Sequence, residues 1–109
     1  MPHYVMLSSL SDAGRKVLHA RPGWIRKVNR ELSQRGARVI AQYAVLGPYD
    51  FVTILEAPDN ETVSSISIEL GARGSVQMMT LPAIPLDVFI NRLERGRSAG
   101  ERKGKRRRP

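Results

Sequence analysis

The feature that most constrains the fold is a pair of β-rich runs separated only by Gly47-Pro48. The runs are RVIAQYAVL, residues 38–46, and YDFVTILEA, residues 49–57. A link this short joins antiparallel neighbours, because parallel strands need a crossover of a dozen or more residues. The sequence therefore predicts a β-hairpin near the middle of the chain.

Further strands and helices are predicted on both sides of this hairpin. Turn residues and apolar periodicity predict strands over 3–8 and 75–81, and helices over 11–20, 22–36, 59–71 and a short stretch from Pro85. The order is β-α-β-β-α-β followed by a C-terminal helix, which is the ferredoxin-like arrangement. The predicted fold class is therefore α+β, with an antiparallel sheet and both main helical regions on one face.

The hairpin strands are apolar on both faces. In the first strand, Val39, Ala41, Tyr43 and Val45 alternate with Ile40, Ala44 and Leu46; in the second, Phe51 and Leu55 alternate with Val52 and Ile54. A sheet with one face in water alternates apolar with polar residues instead. A homodimer with its sheets packed face to face explains the pattern. In the alternative, the C-terminal helix folds back over the open face through Leu86, Phe89, Ile90 and Leu93.

The hairpin loop carries the motif Leu46-Gly47-Pro48-Tyr49-Asp50, followed by FVTILEAPDNET. This resembles the GYD domain family, named for a Gly-x-Tyr-Asp motif, and the resemblance covers residues 3–90. Family members are similar to the dimeric α/β-barrel proteins, whose ferredoxin-like subunits pair through their sheets. The resemblance thus implies a sheet-paired homodimer, but it brings no known activity.

The motif residues have a structural and a catalytic interpretation. Gly47 suits a positive φ, Tyr49 begins a strand, and Asp50 can accept hydrogen bonds from turn amides. In the catalytic alternative, Asp50 is a base at a cavity between sheet and helices, with Tyr43 or Tyr49 as a donor and His3 nearby. An isolated aspartate, with a pKa near 4, is a poor base at neutral pH unless it is buried.

Several other kinds of chemistry are disfavoured. The chain has no cysteine and two histidines, so we expect no disulfide, no thiol catalysis and no metal site. It has no glycine-rich nucleotide motif, and we expect no cofactor. No apolar run approaches the roughly 20 residues of a membrane span, and the N-terminus does not resemble a signal peptide. We therefore expect a cytoplasmic protein without a transmembrane segment.

Positive charge is concentrated at the C-terminus. The formal net charge is +8, and residues 95–109 contain eight Lys or Arg and one acid. This composition predicts a domain over 1–94 and a basic tail over 95–109, which is disordered or briefly extends the last helix. The candidate nucleic-acid-binding residues are Arg95, Arg97, Arg102, Lys103, Lys105, Arg106, Arg107 and Arg108. A tail that serves only solubility is the alternative.

Two functions are consistent with the sequence. The leading hypothesis is a non-enzymatic binding protein whose tail contacts RNA, such as ribosomal RNA, or DNA without reading its sequence. The rival is a small-molecule enzyme or sensor of the α/β-barrel type, such as an isomerase or a cofactor-independent oxygenase. A polar cavity would favour the rival, and an apolar, filled one would contradict it.

Overall fold

The computed structural model describes the backbone of residues 1–107 and the side chains of residues 1–97. The elements are β1 (His3–Leu10), α1 (Asp12–Ala20), α2 (Trp24–Gln34), β2 (Arg38–Ala44), β3 (Phe51–Glu56), α3 (Asn60–Ala72), β4 (Val76–Ala83) and α4 (Leu86–Arg107). Their order confirms the predicted α+β, ferredoxin-like arrangement.

The four strands form one antiparallel sheet in the order β2-β3-β1-β4. β1 is central, and its Val5 lies opposite Ile54 of β3 on one side and Leu81 of β4 on the other. The predicted hairpin is present as β2 and β3. Strands β2 and β4 are consequently the two edges.

The core lies between one face of the sheet and the helices. Residues of β1 alternate strictly between buried and partly buried, as a strand with one covered face should. The core residues are Tyr4, Met6, Leu32, Ala37, Leu55, Ala57, Val63, Ile66 and Leu70. The buried Tyr4 hydroxyl donates a hydrogen bond to Asn60 Oδ1 at 2.7 Å. Burial, aided by the charges of Asp59 and Glu61, raises the pKa of Tyr4.

Side-chain caps fix where two helices begin. Ser11 Oγ accepts a hydrogen bond from the Gly14 amide at 3.0 Å and starts α1. Asp59 Oδ1 accepts one from the Thr62 amide at 2.8 Å and starts α3. Each satisfies an amide that has no partner within its helix. Ser11 and Asp59 are the first residues of the helical ranges predicted from the sequence.

Strand β2 departs from the predicted alternation. Val39 pairs with Leu55 and Ala41 pairs with Ile54, so Ile40 has no partner and forms a β-bulge. The bulge shifts the pattern by one residue. Val39 therefore lies on the helix side, whereas Ala41 and Tyr43 lie on the opposite face. The prediction that all three share a face is wrong.

Helix α4 is longer than the short helix predicted, with 22 residues. The helix continues across the boundary expected between residues 94 and 95. The division into a domain and a tail therefore remains a prediction from charge composition. The apolar residues Leu86, Phe89, Ile90 and Leu93 of α4 are exposed. The alternative in which this helix folds back over its own sheet is therefore wrong. The chain instead extends to 66 Å along its longest axis, against 30 and 21 Å along the others.

Candidate interaction surface

The loop with the Gly-x-Tyr-Asp motif is tied to the end of β1. Gly47 has a φ of 121°, a conformation that other residues rarely adopt. Asp50 Oδ2 accepts a hydrogen bond from the Leu10 amide at 2.7 Å, and the Asp50 amide donates one to the Ser8 carbonyl at 2.8 Å. Ser9 Oγ donates to the Pro48 carbonyl at 3.0 Å. These contacts favour the structural interpretation of the motif.

The four candidate catalytic residues do not converge. His3 begins β1, whereas Asp50 lies beside its end, about 20 Å along the strand. Tyr43 is 59% exposed on edge strand β2. Tyr49 is near the opposite edge, where its hydroxyl donates to Met79 Sδ at 3.7 Å. Because these groups lie at different ends and edges of the sheet, they do not form one reaction centre.

The pocket between the sheet and α2 is small and mainly apolar. Its volume is about 50 Å³, whereas ligand pockets usually measure about 300–1,000 Å³. Two wider grooves lie along α3 and β4, one of about 370 Å³ and one of about 730 Å³ that Tyr49 borders. Three polar side chains of the small pocket bond to each other. Asn29 Nδ2 donates to Gln42 Oε1 at 2.7 Å, and Gln42 Nε2 donates to Thr53 Oγ1 at 3.0 Å.

Metal binding has no support in the part of the chain with described side chains. There, no group of three or more His, Asp or Glu side chains could hold a metal ion. No buried side-chain nitrogen or oxygen in this part is left without a hydrogen-bond partner.

The sheet face opposite the helices, which we call the open face, is apolar at its centre. Two rows of side chains cross all four strands: Met79, Leu7, Val52 and Tyr43 in one, and Leu81, Val5, Ile54 and Ala41 in the other. Tyr43, Met79 and Leu81 are between 45% and 59% exposed. Contiguous exposed apolar patches of this kind are typical of surfaces that bind another protein, a membrane or a ligand.

Polar residues border this apolar centre. At one end, His3 lies opposite Glu56, and Glu56 lies opposite Arg38. Arg38 Nε donates to Glu56 Oε1 at 2.7 Å, and His3 Nε2 is 3.7 Å from Glu56 Oε2. The hydrogen bond from Arg38 lowers the pKa of Glu56. At the other end are Ser9 and Gln77. An apolar centre with a polar rim is the usual anatomy of a protein interface.

Helix α4 adds a second exposed apolar surface, formed by Leu86, Phe89, Ile90 and Leu93, which we call the α4 stripe. Its members recur at helical spacing, and they are 39–69% exposed. Of the candidate nucleic-acid-binding residues, Arg95 and Arg97 lie on this helix and are exposed. The side chains of Arg102, Lys103, Lys105, Arg106 and Arg107, and the whole of Arg108, lie outside the described residues.

Charge is also separated within residues 1–94, although their sum is near neutral. Residues 13–30 contain six Lys or Arg and no acid, and they form most of α1 and α2. Residues 50–72 contain five acids and no Lys or Arg, and they form β3 and α3. The net charge summed over residues 1–94 hides this separation, whereas the net charge of shorter segments reveals it.

Comparison with known proteins assigns the chain to a family. The model of the GYD domain family matches residues 4–93. The chain belongs to the GYD domain family. The match confirms the resemblance seen at the hairpin loop, and it ends before the basic residues 95–109.

One relative, from Thermus thermophilus, is known as the "Glutamine synthetase and cystathionine beta-lyase binding protein". It is 50% identical over 95 residues, which cover 86% of this chain and all of the relative. About one seventh of this chain therefore has no counterpart in it.

Two crystal structures share the fold. MtbAldR superimposes with a TM-score of 0.57 at 21% identity, covering 77% of this chain and 52% of MtbAldR, so this chain spans about half its length. TTHA0845, also from Thermus thermophilus, gives a TM-score of 0.50 at 20% identity, covering 78% of this chain and 95% of TTHA0845. At these identities the likeness establishes the ferredoxin-like fold alone.

None of the helices in the described part of the chain has the length and apolar character needed to cross a membrane.

Proposed function

We propose that this GYD domain protein is a non-enzymatic binding protein that forms a homodimer through the open face. The observation that carries the dimer is the pair of apolar rows crossing all four strands. In a two-fold contact the same patch serves both subunits, so one self-complementary face is sufficient.

The partner class that we propose is a cytoplasmic metabolic enzyme. The support is the relative that is 50% identical over its whole length and is named for binding glutamine synthetase and cystathionine β-lyase. In a dimer with covered sheets, the helices form the outer surface. Residues 13–30, which form most of α1 and α2, bring six Lys or Arg to it, and α3 brings Glu61 and Glu69. Such charge separation gives an interface orientation and a faster association rate.

The small-molecule alternative has less support. The pocket between the sheet and α2 is about 50 Å³ and mainly apolar. The wider grooves along α3 and β4 are bordered by only one of the four candidate catalytic residues, Tyr49, and the four residues lie apart. The Asp50 carboxylate already accepts the Leu10 amide, which is a structural use.

The direct test measures binding of the purified protein to glutamine synthetase and to cystathionine β-lyase from the same organism, by biolayer interferometry. We expect a dissociation constant below about 10 μM for at least one of them. The double variant Lys27→Glu/Arg30→Glu should weaken this binding at least tenfold while leaving the dimer intact. If neither enzyme binds at a concentration 100 times this expected dissociation constant, the proposed partner class is refuted.

The dimer is tested separately by sedimentation equilibrium. Tyr43→Asp and Leu81→Asp place a charge in each apolar row at side chains already about half exposed, so the subunit should still fold. Both should yield monomers. Ala13→Asp, on an exposed part of α1, is the matched control and should remain dimeric. Dimers that persist equally in all three variants would exclude the open face as the interface.

A second function is supported by a separate observation, the eight Lys or Arg in residues 95–109 outside the family match. We propose that this segment contacts RNA or DNA without sequence specificity. Arginine suits bidentate contacts with phosphate, and the segment has no aromatic side chain for stacking on bases. A dimer carries two such segments, which raises apparent affinity through bivalency.

Salt-dependent binding of fluorescent RNA and duplex DNA tests this second function. If about five side chains contact phosphates, log K should fall with log salt at a slope near −4 to −5. A chain ending at Glu94 should lose this binding and keep its affinity for the enzyme. Equal nucleic-acid binding by both chains would disprove a role for the segment.

A further inference from the structure

Helix α4 has an apolar stripe that its own subunit does not cover. Leu86 is 69% exposed and Leu93 is 56% exposed, and Phe89 and Ile90 between them are also exposed. A helix with an apolar stripe gains most of its stability from packing that stripe against another element. The stripe therefore requires a partner surface that is not in the same subunit.

The position of the stripe indicates which surface that is. β4 ends at Ala83, which lies opposite His3 at the rim of the open face, and α4 begins three residues later. The start of α4 is thus close to the edge of the open face along the chain. A second subunit seated on that face would lie within reach of the first turns of α4.

The length of the stripe fits the same partner. It is confined to residues 86–93, about 10 Å of a helix about 33 Å long, and from Glu94 onward the helix is polar and basic. The apolar residues therefore end about two turns after the start of α4, which is close to the distance at which an adjacent subunit could contact the helix. An unrelated partner bound farther along the helix would not explain this limit.

From these observations we infer that α4 is an arm that clasps the second copy of this chain, burying the α4 stripe against the partner subunit. The inference rests on the proposed homodimer and adds an interface that the open face alone does not contain. Loss of the stripe should therefore weaken the dimer without disturbing the fold of either subunit.

The test is the dimer dissociation constant of two charge-matched double variants of the full chain, measured by sedimentation equilibrium. Phe89→Asp/Leu93→Asp places two charges in the stripe, whereas Val88→Asp/Asn91→Asp places two charges on the opposite side of the same helix. We expect the first to weaken the dimer at least about 100-fold and the second to change it less than threefold. Equal constants for both doubles overturn the clasp.

The same series separates this inference from the proposed homodimer. A parent protein that is monomeric at all concentrations refutes both. A dimer that is sensitive to Tyr43→Asp and Leu81→Asp but not to the stripe variant refutes only the clasp.

A photoreactive phenylalanine analogue introduced at Phe89 in the full chain identifies the covering surface directly. A cross-linked product of twice the chain mass supports the clasp. A product of single-chain mass shows that the stripe packs within its own subunit, and it overturns the inference.

Discussion

At the scale of single residues, Gly14 shows how closely α1 approaches the chain before β4. A Cβ atom at this position would lie 2.2 Å from the Ser75 carbonyl oxygen, far inside van der Waals contact. We expect Gly14→Ala to lower the free energy of unfolding by about 1–3 kcal/mol despite the better helix propensity of alanine. Gly71→Ala in α3 is the control, since a Cβ atom there meets nothing within 4 Å. Urea unfolding should show opposite shifts, and equal shifts would contradict the close approach.

Glu56 makes a pH-dependent contribution to stability. Its pKa in the folded protein is below the ordinary value of 4.5, mainly because of the hydrogen bond from Arg38. The unfolded chain therefore binds a proton at higher pH than the folded one, and the contribution is present above pH 4.5 and lost as pH falls below it. We expect the stability difference between the parent and Glu56→Gln to shrink between pH 5 and pH 3. Urea unfolding at each pH measures this difference, and a difference that stays constant from pH 5 to pH 3 would contradict the role of the Arg38–Glu56 hydrogen bond.

At the scale of elements, α3 depends on the side-chain cap at its N-terminus. Asp59 accepts hydrogen bonds from the amide and the hydroxyl of Thr62, and these bonds lower the pKa of Asp59. We expect Asp59→Ala to cost about 0.5–2 kcal/mol in the free energy of unfolding, and Asp59→Asn to cost less because its amide oxygen can still accept. Thermal unfolding followed by circular dichroism compares the two. A smaller loss for alanine than for asparagine would exclude the cap as the cause.

The elements also show which features local chemistry can predict. The hairpin, the start of a helix at residue 59 and the two-faced character of β3 follow from neighbouring residues, so the sequence predicted them. The bulge at Ile40 did not follow, because it depends on how β2 pairs with β3. The length of α4 was missed because basic, glycine-containing composition is typical of a tail, whereas the observed helix continues to Arg107.

At the scale of the whole molecule, the sequence could indicate an apolar sheet face, but it could not indicate which side chains converge in a pocket. A sheet that is apolar on both faces needs packing on both. The helices cover one face, and the argument for a partner on the other face does not depend on which partner it is. A catalytic centre needs several side chains to converge, and convergence depends on topology. His3 and Asp50 are therefore separated by the length of β1, although each was a reasonable candidate by type.

The proposed dimer should make thermal stability depend on protein concentration. The single core lies on one side of the sheet, and the apolar rows of the open face contribute to stability only when a second subunit covers them. Because unfolding then also dissociates two chains, the melting temperature should rise with concentration, by about 3 °C for each tenfold increase. Tyr43→Asp should melt at a lower temperature that does not change with concentration, whereas Ala13→Asp should follow the parent. A parent melting temperature that stays constant over a hundredfold concentration range would mean that the open face does not pair, because only an interface between chains couples folding to mass action.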